Sequence, residues 1–252
     1  MLKRRIIPIQ LLLNGRLVKS RCFENWRDVG DPVKSSAVYN SQYADELIFL
    51  NIARDRNSVN PLIELIQKVS EECFMPLAVG GGIRSFDDAA YLIQNGADKV
   101  VINSAAYSSR ELISRIADRF GTQAVVVAID AKRNGDCYVA MSASASHSEA
   151  VEFDEHIHSC ETAGAGEFLI QSVDQDGTMN GFDIALLRLG CSAANVPVIG
   201  CGGSGHYNHL KEAFIETDVS GLACGSMFNF SDSNPLRAKA FLSNYGLQFK
   251  VV

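Results

Sequence analysis

The sequence predicts a single-domain (βα)8 barrel, or TIM barrel, over residues 1–252, built from two repeated half-barrels. The first reason is that short apolar segments with strand character alternate with amphipathic helical segments, as in parallel βα units. The second reason is a repeated glycine-rich segment. Leu77–Arg84 reads LAVGGGIR, and Val198–Gly205 reads VIGCGGSG at a spacing of 121 residues (198 − 77). A fixed spacing of this kind indicates an internal duplication.

The same spacing relates polar positions in the two halves. Glu46 corresponds to Glu167, and Asp55 corresponds to Asp176. Matching residues of a duplicated barrel are expected at equivalent places on opposite sides of the barrel axis. The repeat therefore predicts where paired functional groups would lie.

The predicted elements follow one another in strand–helix order. Barrel strands are predicted at 5–12, 46–51, 77–79, 99–102, 124–130, 167–171, 197–200 and 219–223. Helices are predicted from 32 onward, at 62–69, 86–95, 109–120, 183–193, 206–216 and 232–244, and in a segment that ends near 163. Asp31 is the predicted cap of the first helix, because a proline follows it at the first helical position. The polar segment up to Gly30 is predicted to be a long loop, and 131–148 an insertion with a hairpin turn at Asn134–Gly135.

Composition excludes several classes of protein. The net charge is −6 and the pI is about 5.4, whereas a nucleic-acid surface needs a basic excess. Seven cysteines without a C-x-x-C pair are expected as free thiols in a reducing cytosol. No apolar segment reaches membrane-spanning length, and the first apolar run is predicted to be a buried strand. We expect no metal and no cofactor, since the histidine pairs lack co-ligands at suitable spacing.

Two anion sites are predicted at the carboxyl ends of the strands, where barrels of this class bind ligands. Amide groups of glycine-rich turns bind phosphate well. The first predicted site consists of Gly81, Gly82, Asn103 and Ser104. The second consists of Gly202, Gly203, Gly225 and Ser226. Glycines that merely permit tight turns are the alternative for either site alone, but the duplicated pair favours a ligand with a phosphate at each end.

Two carboxylates are candidates for acid–base catalysis. Asp130 ends the fifth predicted strand, and Asp176 lies in the loop after the sixth; both are positions where a barrel carries catalytic groups. A turn-forming role is the alternative for Asp176. The alignment of strand one with strand five places Leu11 opposite Asp130. Leucine transfers no proton, so the first half lacks the carboxylate of the second.

A ring of alternating charge is predicted at the other end of the barrel. Its members begin the first, second, fourth and sixth strands: Arg5, Glu46, Lys99 and Glu167. Residues on this face of a barrel usually serve stability. From chemistry alone, an ion network that stabilises the fold is the favoured interpretation over a functional one.

The chain resembles the family of cyclase subunits of imidazole glycerol phosphate synthase. The matching motifs are NGRLVK, NWRDVGDP, ADELIFL, PLAVGGGI, GADKVVINSAA, FGTQAVVVAIDAKR, AGAGEFLIQSVDQDGT and PVIGCGGSG, which cover almost all of the chain. The resemblance implies a cytosolic barrel that docks a glutaminase subunit on its amino-end face. Ammonia from that partner would cross the barrel and meet a nucleotide with two phosphates, giving imidazole glycerol phosphate and aminoimidazole carboxamide ribotide.

The resemblance also assigns roles to residues. It implies that the charged ring is a gate for ammonia, and that Asp98 and Gln123 lie near the partner interface. Further ligand-binding residues are expected in the NGRLVK and SVDQDGT motifs: Lys19, Gly177 and Thr178. Where the family has a catalytic aspartate in strand one, this chain has Leu11, and Asn51 also replaces a usual aspartate.

Four functions remain open from the sequence. The first is a working or impaired cyclase that uses Asp130. The second is a paralogue that keeps the ammonia conduit but serves another acceptor, such as a sugar of surface-polysaccharide biosynthesis. The third is a non-catalytic activator of the glutaminase. The fourth, a sister isomerase of the histidine pathway, is opposed by the gate charges.

Overall fold

The computed structural model describes residues 3–53 and 59–250. Asp55, the predicted counterpart of Asp176, lies outside these ranges. Within them the strands are β1 (Arg5–Leu13), β2 (Arg16–Arg21), β3 (Glu24–Gly30), β4 (Leu47–Asn51), β5 (Leu77–Gly80), β6 (Lys99–Ile102), β7 (Val125–Asn134), β8 (Cys137–Ser142), β9 (His147–Ser148), β10 (Glu167–Ser172), β11 (Val198–Cys201) and β12 (Gly221–Cys224).

The helices of the described residues alternate with these strands. They are α1 (Pro32–Ser41), α2 (Asn60–Ser70), α3 (Phe86–Gln94), α4 (Ser104–Ser108), α5 (Arg110–Phe120), α6 (Phe153–Thr162), α7 (Ile184–Ala193), α8 (Tyr207–Glu216), α9 (Ser226–Phe230) and α10 (Pro235–Ser243), with a 3-10 turn at Thr122–Ala124. No helix within the described ranges has the length and apolar character needed to cross a membrane.

Eight of the strands close into a parallel barrel. Its order is β1, β4, β5, β6, β7, β10, β11 and β12, and β12 pairs with β1 to complete the circle. Each strand runs parallel to its neighbours, since a helical segment carries the chain back between them. The predicted (βα)8 barrel is confirmed.

The strands are almost continuously apolar because both of their faces are covered. Alternate residues point inward and form a buried cluster along the barrel axis: Ile7, Ile9, Ile48, Ala78, Val101, Val126, Ala128, Leu169, Ile199, Cys201 and Ala223. The residues between them, such as Ile6 and Leu47, pack in a separate cluster with the surrounding helices. The barrel therefore has an apolar interior and an apolar outer core.

Local signals set the helix ends, and the cap predicted at Asp31 is confirmed. Asp31 accepts a hydrogen bond from the Lys34 amide at the start of α1. Ser85 and Asp88 form a reciprocal capping box at the start of α3. Gly121 ends α5 with a φ of 88°, a conformation that a residue without Cβ adopts easily.

The prediction of a long loop before Gly30 is wrong. β1 continues to Leu13 and turns through Asn14 and Gly15, which have φ values of 51° and 73°. Two such residues form the tight turn that suits a two-residue hairpin, so β2 folds back onto β1 and β3 pairs with β2. The Asn–Gly signal marked a hairpin rather than the end of ordered strand structure.

The 131–148 insertion is a second hairpin. β7 extends to Asn134, and β8 returns antiparallel with Asn134 opposite Cys137. The turn centres on Gly135 and Asp136, one residue later than predicted. Each half-barrel thus carries a hairpin that rises from its first strand above the carboxyl ends.

A buried ion pair fastens the last helix to the first strand. Lys239 of α10 donates from Nζ to Asp45 Oδ1 at 2.9 Å and to the Tyr43 carbonyl at 2.6 Å. The other oxygen of Asp45 accepts from the Ile6 amide at 2.8 Å. Both charged side chains are at least nine-tenths buried. By contrast, the Arg16–Asp28 pair on the β2–β3 hairpin is more than half exposed.

We predict that Lys239→Met lowers the free energy of unfolding by about 3 kcal/mol, because it leaves the Asp45 carboxylate buried without its cation. The matched control Arg16→Met breaks an exposed pair and is expected to lower the free energy of unfolding far less, because exposed ion pairs contribute little to stability. Urea unfolding followed by circular dichroism measures both. Equal losses of unfolding free energy would show that the buried Lys239–Asp45 pair stabilises the fold no more than an exposed pair does.

Candidate active site

A cavity of about 680 Å³ opens at the carboxyl ends of the barrel strands. Of the residues predicted from sequence, it is lined by Leu11, Asn51, Gly81, Gly82, Asn103, Ser104 and Asp130. Other lining residues include Phe23, Trp26, Leu50, Arg84, Ser144, Ser146 and Gln171. The cavity lies where this fold class places its ligands.

Asp130 is the buried carboxylate of this cavity. It extends from β7 and is only 7% exposed, and its Oδ2 accepts a hydrogen bond from Asn103 Nδ2 at 2.9 Å. Burial raises the pKa of Asp130 to about 7, although the Asn103 hydrogen bond opposes the rise. A carboxyl group with a pKa near neutrality can both give and take a proton under physiological conditions. The geometry therefore suits acid–base chemistry.

Leu11 forms an apolar part of the same cavity wall. It is 8% exposed and pairs with Leu50 on the neighbouring strand β4. Neither side chain can solvate a charge on Asp130, the carboxyl group whose pKa is raised by burial. Position 11, which is predicted to lack the carboxylate that would match Asp130, therefore lies in the lining of the cavity.

Asp176 holds the β2–β3 hairpin and does not line the cavity. Its Oδ2 accepts from Ser20 Oγ at 2.6 Å and from the Phe23 amide at 3.3 Å, and its Oδ1 accepts from Gln171 Nε2 at 3.3 Å. Its carbonyl accepts from the Cys22 amide at 2.8 Å. Burial raises the pKa of Asp176, while the hydrogen bond from Ser20 lowers it. The catalytic role predicted for Asp176 stays a prediction.

The four residues of the first predicted anion site lie together in the cavity wall, and we call them the first cradle (Gly81, Gly82, Asn103 and Ser104). Gly81 and Gly82 have φ values of 94° and 82°. A Cβ on Gly81 would clash with the Asn51 backbone, so glycine is required for the close approach of these two turns. Ser104 is exposed, and its Oγ accepts from the Ala143 amide.

The second predicted anion site lies outside the cavity. We call its residues the second cradle (Gly202, Gly203, Gly225 and Ser226). None of these four lines the cavity, and neither do Lys19, Gly177 and Thr178. Lys19 is buried and donates from Nζ to the Ile9 carbonyl at 2.5 Å. Burial lowers the pKa of Lys19 to about 8, although the negative charge of Asp176 opposes this fall.

Sequence reasoning missed several lining residues. Phe23 and Trp26 reach the cavity because the predicted loop is a hairpin, and the Asn14–Gly15 turn signal could have found it. Gln171 lies opposite Asp130 in the β7–β10 register. Strand alternation could have shown that both side chains face the same way.

The predicted charged ring is closed at the amino ends of the strands. Arg5 Nη1 lies 3.0 Å from Glu46 Oε2, and Arg5 also bonds Glu167. Lys99 Nζ lies 2.9 Å from Glu46 Oε2 and 2.8 Å from Glu167 Oε2. Each cation thus bridges both carboxylates. Glu46 Oε1 is buried and has no hydrogen-bond partner among the described residues.

Asp98 and Gln123, predicted near a partner interface, are exposed at the amino-end face. Asp98 precedes β6 and accepts from the Leu77 amide at 2.8 Å. Gln123 precedes β7 and donates to the Phe120 carbonyl. Both therefore share a face with the ring. Within the described ranges, no cluster of three or more His, Cys, Asp or Glu residues could hold a metal ion.

Comparison with known proteins places the whole fold in one family. The family model described as "Histidine biosynthesis protein" matches residues 5–234. A protein of Prosthecochloris aestuarii named "Imidazole glycerol phosphate synthase subunit HisF" is 42% identical over 247 residues, covering 98% of each chain. Proteins with the same name from Hydrogenobaculum and from Dehalococcoides mccartyi are 40% and 41% identical, covering at least 99% of each chain.

We predict that Asp130→Asn stabilises the protein above pH 7. The folded pKa lies above the unfolded one, so the contribution of Asp130 to stability is complete below about pH 4 and is lost as the pH rises through 7. A pKa change from 3.8 to about 7 corresponds to roughly 4 kcal/mol as an upper value. Urea unfolding at pH 4 and pH 8 should show the variant gaining only at pH 8.

The control is Asp28→Asn, at an exposed carboxylate whose pKa the Arg16 hydrogen bond lowers. Its contribution is lost as the pH falls, so this variant should differ from the wild type at pH 8 in the opposite direction. An Asp130→Asn effect that is the same at both pH values would mean that the carboxyl does not titrate in this range.

Proposed function

This chain belongs to the family of histidine biosynthesis proteins, and from that premise we propose that it is a synthase subunit of the imidazole glycerol phosphate synthase type. In this proposal, ammonia enters at the amino-end face through the ring of Arg5, Glu46, Lys99 and Glu167. It crosses the barrel and reaches the cavity around Asp130. The closed ring at the end of the barrel opposite the cavity is the observation that carries the proposal.

The chemistry of the ring suits a gate for a small polar molecule. Glu46 keeps a buried oxygen without a partner among the described residues, and a buried acceptor of this kind costs about 1–3 kcal/mol. An N–H group of ammonia would satisfy it. Each carboxylate is also shared by two cations, so one bond can open while the other keeps the charge paired.

The barrel interior favours the neutral form of the molecule. Above the ring, the inward side chains are apolar and include the small residues Ala78, Ala128 and Ala223. An ammonium ion would lose its hydration there without compensation, whereas neutral ammonia loses far less. The interior therefore supports passage of ammonia released at the ring and opposes entry of other cations.

A glutaminase subunit is the proposed source of ammonia. The names of the relatives describe them as subunits of a synthase, and this chain exposes Asp98 and Gln123 beside the ring. A partner docked on that face would release its product at the outer side of the ring, next to Glu46. We propose that these two residues contact it.

In the cavity, Asp130 is the proposed acid–base group of ring closure and cleavage. The full reaction of the family gives imidazole glycerol phosphate and aminoimidazole carboxamide ribotide from a nucleotide substrate. Leu11 stands where the family has a second proton-transfer group in the cavity wall. The absence of that group favours a second candidate function. In that function, ammonia is delivered to another acceptor, such as a sugar in surface-polysaccharide biosynthesis. A chain that only activates its glutaminase is the remaining alternative.

We predict that Leu11→Asp raises cyclase turnover of the family's nucleotide substrate, with ammonium as the nitrogen source, by about a hundredfold or more. Leu11→Asn, similar in shape but unable to transfer a proton, should give no such gain. Steady-state kinetics of both purified variants measures this, with circular dichroism to confirm folding. Wild-type turnover already equal to that of the Leu11→Asp variant would argue against the second candidate function.

We predict the effect of Lys99→Met in a protein that also carries Leu11→Asp. Turnover driven by glutamine should fall by about tenfold, or roughly 1.4 kcal/mol. Turnover driven by ammonium should change less than about twofold. The reason is that the ring acts on ammonia from the partner and not on ammonia that enters the cavity from solution. The control Lys132→Met alters an exposed lysine of β7. An equal loss with both nitrogen sources would make the ring purely structural.

A further inference from the structure

A carboxylate fixes the end of the glycine loop in the first cradle. Asp88, in the first turn of α3, accepts through Oδ2 from the amides of Arg84 at 3.0 Å and Ser85 at 2.9 Å. Beyond its chain neighbours, no described residue has an atom within 4 Å of the place where a Cβ of Gly82 would be. The carboxylate therefore holds a loop that is open at that glycine.

The second half-barrel has a histidine in place of this carboxylate. At the 121-residue spacing, His209 corresponds to Asp88, and Gly205 corresponds to Arg84. His209 Nδ1 accepts from the Gly205 amide at 3.2 Å, so the acceptor and the amide occupy the same places in both halves. An imidazole accepts through Nδ1 when its proton is on Nε2. The contact between helix and loop is thus present in both halves, although the accepting group differs.

His209 also lies against the turn that packs on the second cradle. The Gly203 carbonyl accepts from the Gly181 amide at 2.8 Å. A Cβ on Gly205 would clash with the Met179 backbone, so the glycine loop and this turn approach each other closely. A Cβ on Gly181 would lie 3.7 Å from Cδ2 of the His209 ring. One imidazole therefore bonds to the loop and contacts the turn beside it.

The glycine amides of the second cradle are available to an anion. Gly202 and Gly203 are buried, with φ values of 95° and 98°, and neither amide donates to an acceptor among the described residues. A buried amide without an acceptor is unfavourable, and an anion such as phosphate would supply one. The direction of these two amides depends on the backbone that follows them, and Gly205 ends that loop.

We infer that His209 is a positioning residue for the second cradle. Its Nδ1 holds the Gly205 amide, and its ring abuts Gly181, so that the amides of Gly202 and Gly203 stay in place for one phosphate end of the ligand. His209 itself does not touch the phosphate. The inference rests on the proposed function only in treating the second cradle as a phosphate subsite.

Titration of the full chain with inorganic phosphate, followed by ¹H–¹⁵N NMR, measures each cradle separately. The amide signals of Gly202 and Gly203 give the Kd of the second cradle, and those of Gly81 and Gly82 give the Kd of the first. His209→Leu leaves the amide that it held without its acceptor, so we expect phosphate binding at the second cradle to weaken by about tenfold. Binding at the first cradle should change by less than about twofold.

Two further variants separate the hydrogen bond from the packing of α8. His209→Asn keeps a neutral acceptor close to the place of Nδ1, and should restore phosphate affinity to within about threefold of the wild type. The matched control is His206→Leu, three residues earlier. It removes an imidazole whose Nδ1 accepts from the Asn208 amide at 3.2 Å, a contact within the helix cap. Both cradles should then keep their affinity within about twofold.

Three results would overturn the inference. Equal losses at both cradles in His209→Leu, or a loss that His209→Asn does not restore, would give the histidine a merely structural role. No response of the Gly202 and Gly203 signals to phosphate in the wild type would remove the subsite as well. None of these measurements involves ammonia, a glutaminase or Asp130, so failure here is distinct from failure of the proposed function.

Discussion

The barrel depends on how it closes its amino end, where four charged side chains at or just before the starts of four strands meet at the axis. Two cations and two carboxylates alternate, and each member contacts both of its opposites. Buried charges are costly unless they are fully paired, so the ring constrains the relative positions of β1, β4, β6 and β10. The same constraint places a layer of charged side chains below an apolar interior. Under the proposed function, the stability of the barrel and the passage of ammonia would depend on the same set of contacts.

The cavity at the opposite end of the barrel has no such ring of paired charges among the described residues. Asp130 receives one hydrogen bond from Asn103 and faces a wall that includes two leucines, Leu11 and Leu50. Its burial therefore shifts the carboxyl toward the protonated form near neutral pH. Such a group can donate or accept a single proton, and the leucine at position 11 cannot transfer one. Among the described residues that line the cavity, Asp130 is the one carboxylate.

Much of the architecture could be predicted from sequence because apolar runs, glycine turns and helix caps act locally. The ring was also predictable, since each of its members begins a strand and a barrel gathers strand ends. The hairpin after β1 was indicated only by its Asn14–Gly15 turn, because segment 16–30 has exposed β3 residues and gives no clear apolar alternation. The different packing of the two cradles was beyond prediction: the 121-residue repeat makes Gly82 and Gly203 look alike, and only packing separates them.

The tip of the β2–β3 hairpin has an unfavourable backbone conformation that Asp176 holds in place. Cys22 and Phe23 both adopt left-handed backbone, with φ values of 50° and 63°, and residues with a side chain pay about 1 kcal/mol each for this conformation. The Asp176 carbonyl accepts from the Cys22 amide, and its carboxylate accepts from the Phe23 amide and the Ser20 hydroxyl. The carboxylate therefore has a structural role in this hairpin, whatever its part in catalysis. An aspartate at this place in a relative with the same hairpin is not by itself evidence of catalysis.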